Sequence, residues 1–326
     1  MAVSFDWRVP PEVAPQPEDY GFDLESALRA MVAIRAVVPD DAFTADILGT
    51  ERSGNGVIIR KDGVILTIGY LVTEASEIWL TLADGRAVPA TPIGYDQDTG
   101  FGLVQALGRL DMPVLQLGDS ADALPGAPVI AAGAGGAGHS LAAKVIARQE
   151  FAGYWEYLLD EAIFTAPAHP YWGGTGLIGA DGRLIGVGSL QLEQATDDSE
   201  GEGVPLNMYV PTDLLKPILD DMMSIGQPNR PPRPWLGLYA TEVDDRVVIA
   251  GVSGKGPAGR ALREGDVVLS VGGMRITGLA GLFRKIWSLG DAGVKVPMTV
   301  HRDGRPMDIT VPSGDRNRFL KAPSLH

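Results

Sequence analysis

Apolar residues in this chain come in short runs cut by turn residues. Val57, Ile58 and Ile59 form one run, Lys61-Asp62-Gly63 carries tight-turn chemistry, and Val64-Ile65-Leu66-Thr67 forms the next, which predicts a hairpin. Glu77 to Leu82 alternate polar and apolar, Asp84-Gly85 makes a turn, and residues 87–93 return. Further short strands are expected over 113–117, 128–132 and 142–149. Strands this short and this regularly interrupted predict a mainly β barrel fold rather than βαβ units.

Helical signals are few. Asp23 is placed to cap a short helix beginning at Leu24, and Thr212 to cap one over 213–223. Residues 256–262 read as a short helix and 279–289 as a longer one. Pro10, Pro11, Pro15 and Pro17 make the N-terminus an extended arm, because proline fixes φ and removes ladder donors. Its aromatics Phe5, Trp7 and Tyr20 either belong to a loosely draped tail or pack on the body or on a neighbouring subunit. The proline-rich stretch 226–234 is the clearest boundary in the chain.

Composition narrows the function classes. With 45% apolar and 21% charged residues, the 326-residue chain can build packed cores, and its length predicts two or three domains. The formal charge of −14 argues against nucleic acid and anionic membranes as partners. The absence of cysteine excludes disulfides and thiolate chemistry. No apolar run approaches the roughly 20 residues of a membrane span.

The stretch 54–72, GNGVIIRKDGVILTIGYLV, resembles the start of the HtrA family of trypsin-like serine proteases. In that family two such strands and a Thr-Asn-Asn-His-Val-Val segment present the catalytic histidine. Leu117-Gly118-Asp119-Ser120 resembles the family's LGDS segment, Val129 to Gly133 the strand before its glycine-rich loop, and Ala180 to Val187 the hairpin after its nucleophile. Beyond the linker, Trp235-Leu236-Gly237-Leu238 resembles the carboxylate-binding loop of a bacterial-type PDZ domain, and Glu264-Gly265-Asp266-Val267-Val268-Leu269-Ser270-Val271-Gly272-Gly273 resembles its EGDVILSVNG segment. The resemblance implies an N-terminal arm over 1–30, a double β-barrel over 31–225, a linker over 226–234, a PDZ domain over 235–313 and a flexible tail over 314–326. It also implies a trimer or a mixed assembly. Many relatives are exported, yet 1–23 show no basic segment followed by an apolar one, so a cytoplasmic location is expected; a chain trimmed of an export leader would look the same.

The chemistry expected of the family is the point of departure. A serine protease needs a hydroxyl nucleophile, an imidazole to take its proton and a carboxylate to orient that imidazole. The resemblance puts Tyr70 at the base position, Gly100 at the acid position and Gly173 at the nucleophile position. A phenol titrating near 10 is a poor acceptor at neutral pH. Thr175, in Trp172-Gly173-Gly174-Thr175-Gly176, is a weak nucleophile candidate, because threonine attacks only with a base beside it. The glycines of this loop either form an anion-binding nest or simply keep the turn.

Of four histidines, only His169 is expected near the cleft, in a surface or pocket-lining role, and none has metal-site spacing, so no cofactor is expected. The glycine-rich 133–138 lacks the lysine of a phosphate loop. The acidic loop with Asp197, Asp198 and Glu200 reads as a solvated loop or as a patch for a basic partner.

The sequence therefore predicts a chain that is not an enzyme: a pseudoprotease acting as a scaffold, adaptor or assembly factor for a protein or peptide partner. The alternatives are an endopeptidase using Thr175 and a regulatory subunit of an active paralogue. Peptide tails are expected at the amides of Leu236, Gly237 and Leu238, with Leu282 and Ile286 lining the side-chain pocket. Alternatively, that groove is filled by the protein's own chain.

Overall fold

The computed structural model describes residues 7–194 and 203–322; Phe5, His326 and the acidic residues Asp197, Asp198 and Glu200 lie outside them. The chain divides into two compact units. One holds the chain up to Gln149, Glu161–Asn229 and the end from Lys321; the other holds Glu150–Asp160 and Arg230–Leu320.

The first unit contains two closed six-stranded barrels. β1 (Met31–Val37), β2 (Glu51–Ile58), β3 (Val64–Ile68), β4 (Glu77–Thr81), β5 (Ala87–Tyr95) and β6 (Phe101–Ala106) close in the order β1-β2-β3-β6-β5-β4. The expected hairpin is β2–β3, with Val57 opposite Leu66 and Ile58 opposite Ile65. Val57 and Ile58 of β2 and all of β3 are buried, so one register satisfies the ladder and the core together. β7 (Pro128–Ala132), β8 (Ser140–Gly153), β9 (Tyr157–Ala166), β10 (Gly176–Ile178), β11 (Leu184–Gln194) and β12 (Val204–Pro211) close in the order β10-β11-β12-β9-β8-β7. Closure leaves neither barrel with an open edge.

Three expectations in this unit are corrected. Residues 113–117 form no strand: Pro113 has no donor, the Leu115 amide makes a single hydrogen bond to the Ile58 carbonyl, and Leu117 makes an isolated bridge to Leu184. The helix expected over 213–223 is broken by Pro217 into a single turn at Thr212–Leu214 and a helix beginning at Leu219. Thr212 does not cap it, because its hydroxyl donates to the Leu184 carbonyl. Asp23 does cap the helix predicted at Leu24, accepting from the Ser26 amide at 2.9 Å. Among the described residues the α-helices are α1 (Leu24–Leu28), α2 (Ala45–Leu48), α3 (Leu219–Ile225) and α4 (Leu279–Trp287).

The N-terminal arm packs on this unit. The Val9 amide donates to the Gly138 carbonyl, and Trp7, Val9 and Val13 lie against the buried cluster that includes Val129, Leu141, Ile163 and Tyr209.

The second unit is a sheet of β13 (Leu238–Val243), β14 (Arg246–Val252), β15 (Val267–Val271), β16 (Met274–Arg275), β17 (Lys295–Arg302) and β18 (Arg305–Pro312). Its order is β13-β14-β15-β17-β18 with β16 on β15, so β13 is an edge strand. The apolar face of α4 (Leu279, Leu282, Phe283 and Ile286) is buried in the core of this unit. Asp266 anchors the loops: it receives two hydrogen bonds from the Arg302 guanidinium at 2.6 Å and one from the Arg263 amide. Of the stretch 314–326 expected as a flexible tail, Gly314 and Phe319 are held in this unit. Trp235 and Gly314 exchange backbone hydrogen bonds, and the Phe319 ring packs on Trp235 with centroids 4.9 Å apart.

Candidate functional site

In the first unit, the positions singled out by the family pattern come together around the loop 171–175. Tyr70 sits in the short turn Gly69–Leu71 that follows β3. Its hydroxyl donates to the Ser189 carbonyl at 2.9 Å, and burial pushes the phenol above its ordinary range. A Cβ built on Gly173 would lie 2.8 Å from that hydroxyl, so the phenol fills the space a side chain at 173 would use. Gly100, at φ +81°, accepts from the Gly69 amide through its carbonyl, which ties the acid position to the base position by backbone alone. The neighbouring Asp96 is buried and accepts from the amide and hydroxyl of Thr99, so it closes its own turn.

The loop is pinned by Asn55, a residue the sequence reading passed over. Asn55 is fully buried on β2; its amide donates to the Gly173 carbonyl, and its side chain donates to the carbonyls of Tyr171 and Gly173 and accepts from the Ala134 amide. The only signal available was a polar residue between two glycines, just ahead of the apolar run Val57-Ile58-Ile59. Gly174 has φ +75°, and a Cβ there would come within 1.8 Å of the Asn55 carbonyl oxygen, so only glycine fits this turn. Thr175 is fully buried. Its hydroxyl donates to the Trp172 carbonyl at 2.8 Å and lies 3.4 Å from the Tyr209 hydroxyl.

His169 is buried rather than on the surface. One ring nitrogen accepts from the Tyr171 amide, so the proton sits on the other, 2.9 Å from the His139 carbonyl. The Trp7 ring covers it edge-on with centroids 4.9 Å apart. Burial pulls its pKa down to about 4, so the imidazole is neutral at pH 7. Both ring nitrogens serve the walls of the loop. Among the described residues no group of histidine, aspartate and glutamate is placed to hold a metal ion.

The second unit carries a site of a different kind. The amides of Leu236, Gly237 and Leu238 converge on a single carboxylate, that of Glu156, at 2.7 to 3.2 Å. Gly237, at φ +75°, lets three consecutive amides turn inward as an anion nest. Leu282 and Ile286 are fully buried and share one apolar cluster with Leu158. The Ala240 amide of the edge strand donates to the Tyr154 carbonyl at 2.9 Å. Of the two alternatives the sequence left open for this groove, the chain's own residues 154–158 fill it.

Comparisons with known proteins agree with these two units. Residues 54–187 match the trypsin-like peptidase domain family, and residues 234–312 match the PDZ domain family. A probable periplasmic serine endoprotease, DegP-like, of Halomonas elongata is 29% identical over 276 residues, covering 80% of this chain and 56% of that protein. Protease Do-like 1, chloroplastic, of Arabidopsis thaliana is 31% identical over 278 residues, covering 76% and 60%. The serine protease Do-like HtrA of Bacillus subtilis is 27% identical over 286 residues, covering 78% and 62%. The chain thus spans little more than half the length of these relatives. Among solved structures, the HtrA-type protease AlgW with a tripeptide superposes with a TM-score of 0.53 at 22% identity, covering 92% of this chain and 97% of that one.

These relatives correct one expectation. The proteins that this chain matches are named as serine endoproteases and proteases, so the prediction of a chain that is not an enzyme does not stand. A trypsin-like double barrel, a carboxylate-binding PDZ loop and collinear relatives together make this chain a member of the HtrA-type serine protease family.

Proposed function

We propose that this chain serves HtrA-type endoproteolysis of polypeptides, engaging the polypeptide through its PDZ unit. The observation that carries the reading is the nest of Leu236, Gly237 and Leu238. Three backbone donors aimed at one carboxylate form a receptor for a chain terminus in the unit whose apolar cluster holds Leu282 and Ile286. In the barrel unit, Thr175 is the hydroxyl of the glycine loop, and for it to attack a peptide bond it must leave the Trp172 carbonyl and find a proton acceptor. A second reading, a regulatory subunit assembled with an active relative, is favoured by the phenol of Tyr70 filling the space at Gly173.

The test is incubation of an unfolded polypeptide with the full chain and with Thr175→Ala, alone and mixed with a catalytically competent HtrA-type protease. Cleavage by the chain that Thr175→Ala abolishes assigns the reaction to this loop. A change in the relative's rate, unaffected by Thr175→Ala, assigns it to mixed assembly. No cleavage alone and no change in the mixture overturns the proposal.

A further inference from the structure

Residue 156 has a backbone conformation that its side chain does not favour. Glu156 sits at φ +61°, in the left-handed region where glycine is the unstrained choice, at the tip of the turn between β8 and β9. It is also buried, at 6% exposure, although a glutamate is almost never buried unless paired. What holds it there is the PDZ-like loop: its carboxylate accepts from the amides of Leu236, Gly237 and Leu238.

The rest of the tip follows the geometry of a bound peptide. Tyr154 accepts from Ala240 on the edge strand β13, as an added strand does. Leu158 is buried in the same apolar cluster as Leu282 and Ile286, so the place of an apolar ligand side chain is filled as well. Arg284, on α4, ion-pairs with Glu150 and Asp160, one on each stem of the tip. The tip thus meets the nest, the edge strand, the apolar cluster and the helix.

We infer that the tip of the β8–β9 hairpin is a built-in ligand of the PDZ groove: Glu156 occupies the seat of a peptide's terminal carboxylate, and an incoming tail binds only by displacing it. The partner is an extended polypeptide ending in a free carboxylate and an apolar side chain. The inference rests on the peptide-engaging reading above and adds to it that the groove is shut at rest.

The test is fluorescence anisotropy of a labelled synthetic peptide with an apolar last residue and a free carboxylate, beside its C-terminal amide twin. The full chain is compared with Glu156→Ala, Glu156→Gly and Glu156→Gln. Glu156→Gly removes the internal carboxylate and relieves the backbone strain, and Glu156→Gln keeps the packing. Removing a charge-assisted competitor tightens carboxylate-peptide binding about tenfold or more in the Ala and Gly variants, with the amide twin weak throughout. Equal affinity in wild type and all variants overturns the built-in ligand alone. Absence of binding by variants that still melt cooperatively overturns the groove as a carboxylate receptor, and with it the peptide-engaging reading.

Discussion

The hydroxyl of Tyr70 stands 2.8 Å from the point that a Cβ on Gly173 would occupy. The base position and the nucleophile position of the family pattern are therefore sterically coupled: either can carry a larger side chain only if the other gives way. Gly173→Ser alone is expected to lower stability by about 1–3 kcal/mol through overpacking, and Tyr70→His in the same chain to recover most of it. Thermal melts of the two single variants and the double variant measure this coupling; additive losses would show that the contact is not tight.

Asn55 predicts a second effect on the same loop. Its side chain makes three hydrogen bonds from a fully buried position, so Asn55→Ala leaves the Tyr171 carbonyl and the Ala134 amide without that partner. A loss of about 2–3 kcal/mol is expected, since unmade buried bonds cost more than made ones contribute. Denaturant unfolding gives the loss, and faster amide exchange at 171–175 would place it in this loop.

The PDZ-like nest should respond to pH. Burial pushes the Glu156 carboxyl up to about 7, against the pull of the three loop amides and of Arg316, with the Tyr239 phenol nearby. Released into water, a glutamate titrates near ~4.3. Between those values the closed groove binds more protons than the open one, so acid favours closure and rising pH favours release. Affinity for a carboxylate peptide is expected to climb by at most about tenfold per unit toward pH 7 and to level above it. In Glu156→Gln the profile should be flat over that window; a slope of the same size there would assign the effect to another group.

Asp266 sets the stability of the second unit. Burial opposes its ionisation, but the hydrogen bonds from Arg302 and the Arg263 amide prevail and hold its carboxyl below the usual range. The pair therefore stabilises the unit at neutral pH, and that contribution fades as acid protonates Asp266. Asp266→Ala strands the Arg302 guanidinium and is expected to cost about 3–5 kcal/mol. Calorimetry of wild type and variant would show this as an earlier transition for the second unit; unchanged melting would mean that Arg302 finds another acceptor.

Local patterns carried the fold well. The β2–β3 hairpin, the capped start of α1 and the helix over Leu279–Trp287 were legible because apolar period, turn residues and cap chemistry agree at each. The helix after Thr212 was misread because a cap-like residue outweighed Pro217 five positions on. The site was legible only in part. Leu236 to Leu238 were placed by their motif, whereas Asn55 and Glu156 act through partners more than 70 residues away, which no local pattern encodes. Thr175 was visible as a hydroxyl, but its orientation toward Trp172 is a property of the folded loop.

The hydrogen bond from Ala240 to Tyr154 has a bearing on solubility. β13 lies at the margin of its sheet, where unpaired amides and carbonyls can recruit a strand from another molecule. With the hairpin tip laid along it, that margin is shielded from intermolecular pairing. Any variant that frees the tip also uncovers an adhesive strip, so a chain opened for its ligand becomes a chain prone to self-association at high concentration.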